Sequence, residues 1–237
     1  MPIERLDKVI SSICKVSRKD ARGIIKKGRA VIDGRQVKDI SAKVDTENSE
    51  IMVDGQKKTY KQFVYIMINK PKGILSASND KTRETVVDLV KHDYDRHGLF
   101  PVGRLDKDTT GLLIITDDGE FGHKVISPKS FIEKEYIVTV DKPVNKEMTD
   151  ILEQGVTLAD GTECRPARVS VLSRDGMKLS VVITEGKYHE IKRMMGVVNV
   201  GVNELHRKRI GALTLDTSLL PGSYRELSSL DLCNLWK

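Results

Sequence analysis

Residues 103–116 read GRLDKDTTGLLIIT, and this stretch is the most informative part of the chain. Arg104 stands two positions before the carboxylate of Asp106, between glycines that permit a tight turn. The apolar run over residues 112–115 predicts a buried strand that returns into a core. An Arg-x-Asp triplet alone is more often a surface salt bridge. In this longer string, it predicts a reactive acid held on a rigid turn beside a cation.

Positive charge is concentrated near the N-terminus. Residues 1–29 contain nine Lys and Arg against three acidic residues, and this excess equals the net charge of +6 of all 237 residues. A basic segment followed by an electrically balanced remainder is typical of a module that binds a polyanion. A charged face that serves only solubility is the alternative interpretation.

Composition and motif content exclude several classes of protein. Hydrophobic residues make up 39% of the chain, no apolar signal region opens it, and no apolar run is long enough for a membrane span. We therefore expect a soluble, cytoplasmic protein without a membrane partner. The cysteines, Cys14, Cys164 and Cys233, are odd in number and far apart, and His189 has no second ligand at metal spacing, so we expect neither disulfides nor a metal site. No glycine-rich nucleotide loop or nucleophilic Ser or Cys motif occurs.

The N-terminal segment predicts two short helices followed by a hairpin. Apolar residues recur at helical spacing over residues 5–14. Ser17 begins a capping box for a second helix that runs to Lys27 and stops at Gly28. Residues 30–37 then predict a hairpin with an Asp-Gly turn. A hairpin directly after the second helix argues against a generic helix-turn-helix DNA-binding module, which is the alternative interpretation of two short helices with a basic face.

The rest of the chain predicts an α+β domain with a mixed or antiparallel sheet flanked by helices. A polar stretch over residues 57–61 separates it from the N-terminal segment, so we expect domains at residues 1–60 and 61–237. Helices and strands interleave without the regular spacing of βαβ units. Strands are expected at 64–68, 112–116, 136–140, 167–172, 179–184 and 212–215. Helices are expected at 120–126, 145–154 and 188–197.

Motifs along the chain together resemble the RsuA-like family of pseudouridine synthases. The string from Gly103 to Gly111 resembles the family signature, and the string from Glu185 to Met195 resembles another family motif. Weaker similarities follow in the expected order at residues 69–73, 127–136, 204–211 and 220–225. The residues of 69–73 alone predict only a strand-end turn with solvated lysines. The N-terminal segment resembles the small RNA-binding domain of ribosomal protein S-four-like proteins.

The resemblance implies a role for each candidate site residue. It implies that Asp106 is the catalytic residue. It also implies that Arg104 helps to displace or replace the flipped base. Tyr136 stacks on the uracil, while Lys192, with Arg193 next to it, holds Asp106 ionised. The residues expected to contact RNA are Arg5, Lys8, Arg18, Lys19, Arg22, Lys26, Lys27 and Arg29 in the N-terminal domain, with Arg207 and Lys208 further along the chain.

The resemblance also implies an activity. It implies that this chain converts a uridine to pseudouridine in 16S ribosomal RNA at position 516, in a small-subunit assembly intermediate, with no cofactor and no metal. Tyr188 and His189 favour the small-subunit enzymes over the large-subunit ones, which tend to have Asn-Arg there. A large-subunit ribosomal RNA pseudouridine synthase remains an alternative, as does a non-enzymatic RNA-binding assembly factor. The catalytic acid is either a nucleophile at the ribose C1′ or a base that removes a ribose proton.

Overall fold

The computed structural model describes residues 3–94 and 96–237. Their contacts divide into two compact units. The first contains residues 3–64, 94 and 96–97, and the second contains Tyr65–Asp93 and Gly98–Lys237. The boundary predicted between residues 60 and 61 lies just before this division.

The first unit packs two helices and short strands around one core. The apolar faces of both helices meet the buried side chains of the strands in this core. A four-stranded antiparallel sheet has the strand order β3-β2-β5-β6, and β1 pairs with β4. The elements are β1 (Ile3–Arg5), α1 (Leu6–Ile13), α2 (Arg18–Lys26), β2 (Ala30–Ile32), β3 (Arg35–Gln36), β4 (Lys43–Asp45), β5 (Ile51–Val53) and β6 (Gln56–Lys58).

Local signals in the sequence explain these elements. The Ser17 hydroxyl accepts a hydrogen bond from the Asp20 amide and so caps α2. Helix α2 is followed by Gly28 with a φ of +68°, the left-handed conformation that ends many helices. Asp33 and Gly34 both have positive φ, as a two-residue hairpin turn requires. The predicted helices and hairpin are therefore confirmed.

The second unit is built on a mixed sheet with the strand order β13-β14-β10-β15-β9-β7-β17. Only β9 and β15 run parallel among the paired strands of the described chain, and β8 and β16 extend the sheet. The strands are β7 (Tyr65–Lys70), β8 (Phe100–Pro101), β9 (Thr110–Thr116), β10 (Lys134–Val140), β11 (Val156–Thr157), β12 (Glu163–Cys164), β13 (Arg168–Val171), β14 (Lys178–Ile183), β15 (Val202–Ile210), β16 (Leu213–Thr214) and β17 (Tyr224–Glu226). The helices are α3 (Val86–Val90), α4 (Gly119–Ile126), α5 (Lys146–Gln154), α6 (Glu190–Val197) and α7 (Ser229–Asn234), with a 3-10 turn at Pro128–Ser130.

Strands β7 and β9 lie at the centre of this unit. Apart from their first residues, every residue of both strands is buried, so side chains on both faces of the sheet are covered. Continuous apolar runs are typical of such doubly covered strands. The prediction of an α+β fold with a mixed sheet flanked by helices is confirmed. None of the helices in the described ranges combines the length and apolar character that crossing a bilayer requires.

The sequence analysis does not predict strand β15, although β15 pairs with both β10 and β9. Its residues are largely polar or charged and do not alternate cleanly. Two register shifts along the β10–β15 pairing disturb the alternation further. The short helices α3 and α7 are also missed, and each is held by a capping box at its first turn.

Candidate active site

A buried lysine, Lys70, stabilises the turn before β9. Lys70 has no exposed surface, and its Nζ donates to the carbonyl oxygens of Thr109 at 2.9 Å and Lys107 at 3.3 Å. The Gly73 amide also donates to the Lys107 carbonyl at 2.7 Å. Burial lowers the pKa of Lys70 to about 8. The interpretation of this segment as a turn with solvated lysines is therefore wrong for Lys70, because its ammonium satisfies carbonyls of the turn.

A glycine sets how closely the turn approaches the neighbouring strand. Gly111 has a φ of +101° and pairs with Arg207 in the parallel β9–β15 ladder. A Cβ atom at this position would lie 2.3 Å from the Arg207 carbonyl oxygen. Only glycine fits without displacing the backbone. The turn is further fixed because Ser76 Oγ exchanges hydrogen bonds with the Leu105 backbone.

Two groups from the α6 segment contact Asp106. Lys192 Nζ lies 3.3 Å from Asp106 Oδ2, and His189 Nε2 lies 3.3 Å from Asp106 Oδ1. The Asp106 side chain retains a quarter of its surface exposed, so it is reachable from solvent. The expected proximity of Lys192 to Asp106 is present in the structure.

Lys192 also binds a second carboxylate. Its Nζ lies 2.8 Å from both carboxylate oxygens of Asp108. Burial alone would lower the pKa of Lys192, but Asp108 and Asp106 together raise it above its ordinary value. The hydrogen bond from Lys192 in turn lowers the pKa of Asp108. One ammonium therefore holds two carboxylates on the same turn.

A cavity of about 70 Å³ opens beside Asp106. Arg104 and Tyr136 line it together with Lys187, His189 and Glu190. Arg104 is exposed, and Tyr136 is buried with its hydroxyl 3.5 Å from an Arg207 nitrogen. The structure thus brings Asp106, Arg104, Tyr136 and Lys192 into one site.

Arg193 lies elsewhere in the fold. Its guanidinium forms an ion pair with Asp160 at 2.5 Å and donates to the Tyr188 carbonyl at 3.3 Å. Successive residues of a helix point in directions about 100° apart, so Arg193 diverges from Lys192. It therefore ties the start of α6 to the loop after β11 rather than contacting Asp106.

Sequence reasoning missed two residues that contact this network. Asp108 follows Asp106 by two positions, and its relation to Lys192 appears only when the turn and α6 meet. The sequence analysis considers His189 as a metal ligand and as a marker of the small-subunit enzymes, but not as a contact of Asp106. In the structure its ring contacts Asp106 and stacks on Tyr188 with centroids 3.8 Å apart. The signal for His189 is its place within the Glu185–Met195 motif.

The predicted RNA-binding arginines of the first unit converge on one acid. Asp7 is fully buried, and its carboxylate accepts hydrogen bonds from Arg5 at 3.1 Å, Arg18 at 3.0 Å and Arg22 at 3.3 Å. The hydrogen bond from Arg5, reinforced by Arg22 and Arg18 against the effect of burial, lowers the pKa of Asp7 to about 2. Each arginine side chain stays about half exposed. Asp7 therefore fixes three guanidiniums that still reach solvent.

The other predicted cations of this unit fall into two groups. Lys8 pairs with Glu4, and Arg29 pairs with Asp54. Lys19, Lys26 and Lys27 are exposed on or just after α2, and in the described part of the chain none of them has an ion-pair partner. These three lysines are thus the most available positive charges among the predicted contacts.

The prediction of an RNA contact is wrong for Arg207. Only 4% of this residue is exposed, and its Nε donates to the Leu112 carbonyl at 2.7 Å. The run of basic residues in β15 suggests a solvent-facing surface, but in the structure Arg207 is buried while Lys208 beside it is exposed. Lys208, the next residue, is exposed and pairs with Glu135 at 3.0 Å.

One buried group near the cavity has a spacing that suits a metal ion: Cys164, Glu185 and Glu190. Its carboxylates already have protein partners, because Glu185 pairs with Lys187 at 2.8 Å and Glu190 accepts from the Lys187 amide at 2.7 Å. Burial, with the nearby Glu185, raises the pKa of Glu190 to about 7. The pair is better suited to sharing a proton than to binding a cation.

Comparison with known proteins gives the family. Residues 64–196 match the model for RNA pseudouridylate synthase, and residues 4–51 match the S4 domain. The chain is 40% identical over 230 residues to the uncharacterized RNA pseudouridine synthase YtzG of Bacillus subtilis, covering 96% of each chain. It is 37% identical over 237 residues to ribosomal small subunit pseudouridine synthase A of Vibrio vulnificus, covering 98% of this chain and 100% of the relative.

A solved structure agrees with these relatives. The crystal structure of a pseudouridylate synthase matches with a TM-score of 0.67 and 33% sequence identity, over 98% of this chain and 99% of that one. Family model, sequence relatives and fold thus point the same way as the motifs around Asp106. The chain therefore belongs to the RNA pseudouridylate synthase family, and it is an RNA pseudouridine synthase that carries an S4 domain.

Proposed function

We propose that this enzyme isomerises one uridine of 16S ribosomal RNA, at the family position 516, in a cytoplasmic small-subunit assembly intermediate. Asp106 is the residue that carries the chemistry. The observation that carries the proposal is the placement of Asp106, between Lys192 and His189 on a braced turn, at a cavity shared with Arg104 and Tyr136. The choice of RNA is supported by the relative named ribosomal small subunit pseudouridine synthase A.

The reaction breaks the N1–C1′ bond of uridine, turns the uracil and forms a C5–C1′ bond. Asp106 either attacks the ribose C1′ or removes a ribose proton to give a glycal. The C5 proton leaves and N1 gains one, so the product is an isomer of the substrate. No electrons pass to an acceptor, and the proposed chemistry requires no cofactor.

The other residues act on the bound uridine. The target base leaves its stack at a cost of a few kcal/mol before it enters the pocket. Arg104, exposed at the entrance, fills the place that the base vacates. Tyr136 offers its ring to the uracil, a stacking contact worth about 1–3 kcal/mol. Lys192 pairs with the Asp106 carboxylate and fixes its position beside the bound uridine.

The cavity has to widen to admit the base. Its volume of about 70 Å³ is well below the roughly 300–1,000 Å³ of typical ligand sites. His189 lines the cavity and stacks on Tyr188, which is 71% exposed. Movement of this pair is the change that we propose admits the base.

Pseudouridine mapping in ribosomal RNA tests the choice of substrate. RNA from cells with and without the gene is compared, and loss of a single pseudouridine from 16S RNA at position 516 is the expected result. Loss from large-subunit RNA instead would assign the enzyme to that subunit. An unchanged pseudouridine pattern would overturn the ribosomal assignment.

Asp106→Asn tests the catalytic assignment. The amide keeps the shape of the side chain but is neither nucleophile nor base, so the purified variant should form no product while binding RNA almost normally. Product is measured by mapping and affinity by fluorescence anisotropy. Substantial pseudouridine formation by this variant would remove Asp106 from the role.

A further inference from the structure

A second and larger cavity lies next to the candidate active site. Its volume is about 410 Å³, within the roughly 300–1,000 Å³ range of sites for small organic groups. Leu205 of β15 lines both cavities, and Asp108, which shares Lys192 with Asp106, borders the larger one. The two cavities therefore meet at the same turn.

The position of this cavity follows from the sheet. Strands β9 and β15 pair only through Thr110 with His206 and Gly111 with Arg207. The part of β15 before His206 is paired with β10 alone in the described ladders. A gap beside the catalytic turn results, and side chains of β10, β14 and β15 form its wall.

Three charged side chains that line this cavity have no ion-pair partner in the residues the structure describes: Lys72, Lys178 and Glu204. Further along the same sheet the charges are matched, because Arg209 pairs with Glu133 and Glu135. Unmatched charges of both signs in one cavity suit a ligand that carries an anionic group and hydrogen-bond donors.

The uncharged lining adds an apolar floor and oriented polar groups. Ile137 and Leu205 supply apolar surface. Asn203 donates its amide nitrogen to the Val140 carbonyl at 3.2 Å, which leaves its oxygen free to accept. His206 shares a hydrogen bond of 2.9 Å with Thr110, and burial together with the charge of Lys178 lowers its pKa.

We propose that this cavity is a subsite for a nucleotide next to the target uridine. Lys72 and Lys178 bind its phosphate, and the apolar floor supports its base. Glu204 and Asn203 accept hydrogen bonds from N–H groups on the base edge. Guanine, adenine and cytosine carry an amino group there and are preferred over uracil. The subsite rests on the proposed function only in that RNA is bound with its target base at Asp106.

The first test is a kinetic comparison of matched variants on whichever RNA the wild-type enzyme modifies. Lys178→Ala should raise KM about tenfold with kcat nearly unchanged, since the ammonium that it removes binds a charged partner and lies away from the reacting atoms. The log–log salt dependence of 1/KM should fall by about 0.7, because one phosphate is no longer neutralised. Lys146→Ala, which removes an exposed lysine of α5, is the control and should change neither quantity.

The second test locates the nucleotide and reads its base. Each nucleotide flanking the target is replaced in turn by an abasic unit, and one replacement should raise KM for the wild type. For the Glu204→Gln variant, the same abasic replacement should raise KM only slightly further, because two changes to one interaction are not additive. Circular dichroism checks that the variants fold.

The outcomes separate the subsite from the choice of RNA. The Asp106→Asn enzyme carrying Lys178→Ala is compared with Asp106→Asn alone by anisotropy, so the subsite is measured without turnover. Affinity and salt slope equal to those of the Lys146→Ala control, or additive effects at every flanking position, would overturn the subsite. If the enzyme binds free nucleoside monophosphates tightly and Lys178→Ala does not change RNA binding, the cavity is a metabolite site instead.

Discussion

One ion-pair cluster in each unit of this protein shows the opposite ratio of charges to the other. In the first unit one buried carboxylate, Asp7, holds three half-exposed guanidiniums. In the second unit one ammonium, Lys192, holds two carboxylates, Asp106 and Asp108. The first cluster therefore carries a net positive charge, and the second carries a net negative charge.

The difference teaches how a fold keeps a functional charge in place. In each cluster a single group of one charge, the minority charge, positions several groups of the opposite charge. The charge that is not neutralised remains available to a ligand. A surplus of guanidiniums suits phosphates, while a surplus carboxylate suits the chemistry proposed at Asp106. An exposed one-to-one pair, such as Lys146 with Asp150, has no such surplus.

Removing the minority charge of the second unit should have the largest effect. Lys192→Met leaves Asp106 and Asp108 without their shared cation, and we expect kcat to fall about 10²–10³-fold, as when other electrostatic groups are removed from active sites. Single-turnover kinetics measure the change, and Lys146→Met is the matched control. Lys192→Arg should restore part of the rate. A decrease no greater than that of the control would break the comparison on this side.

Removing the minority charge of the first unit should cost stability. Asp7→Asn leaves three guanidiniums without their charged acceptor, and we expect the free energy of unfolding to fall by about 2 kcal/mol. Because the folded-state pKa of Asp7 is about 2 against an ordinary 3.8, its contribution is present above pH 4 and is lost as the pH falls towards 2. Acid unfolding followed by circular dichroism should show this loss in the wild type and not in the variant.

The exposed lysines on and just after α2 sharpen the comparison. Replacing Lys19, Lys26 and Lys27 together by Ala removes charge without disturbing Asp7. The log–log salt slope of RNA binding should fall by about 0.7–0.9 for each phosphate that is no longer neutralised. Replacement of Lys142, Lys146 and Lys237 is the control of equal charge. Equal slopes for the two triple variants would favour the interpretation of a merely solubilising face.

The smallest effect is expected from the second carboxylate. Asp108→Asn leaves Lys192 to Asp106 alone, so kcat should change only severalfold. Asp108 raises the pKa of Lys192, and its loss should move the alkaline limb of the pH–rate profile to lower pH. A profile identical to that of the wild type would mean that Lys192 does not govern that limb.

Local patterns predicted much of the fold. The cap at Ser17, the Asp-Gly turn and the apolar runs of β7 and β9 each act within a few residues, and all are present. Strand β15 could not be predicted in the same way, since its nine residues are mostly polar and its partners are distant in sequence. Its strand conformation is imposed by pairing with β10 and β9.

The site was predictable where a motif carried it. The closeness of Lys192 to Asp106 followed from the resemblance, although 86 positions separate the two residues in the sequence. Which arginines share Asp7, and that Arg207 turns inward, depend on tertiary contacts that no local pattern encodes. Arg193 and Lys192 are adjacent in sequence, and only the direction of each side chain from α6 separates their partners.

The burial of Lys70 has a consequence for chemical labelling. A lysine whose pKa is about 8 is a good nucleophile at neutral to mildly alkaline pH, yet no acylating reagent can reach an amine with no exposed surface. Its rate of modification therefore reports how often the turn that carries Asp106 opens. Mass spectrometry of a time course would follow that opening in the intact enzyme, with the exposed Lys72, two positions further on, as an internal standard.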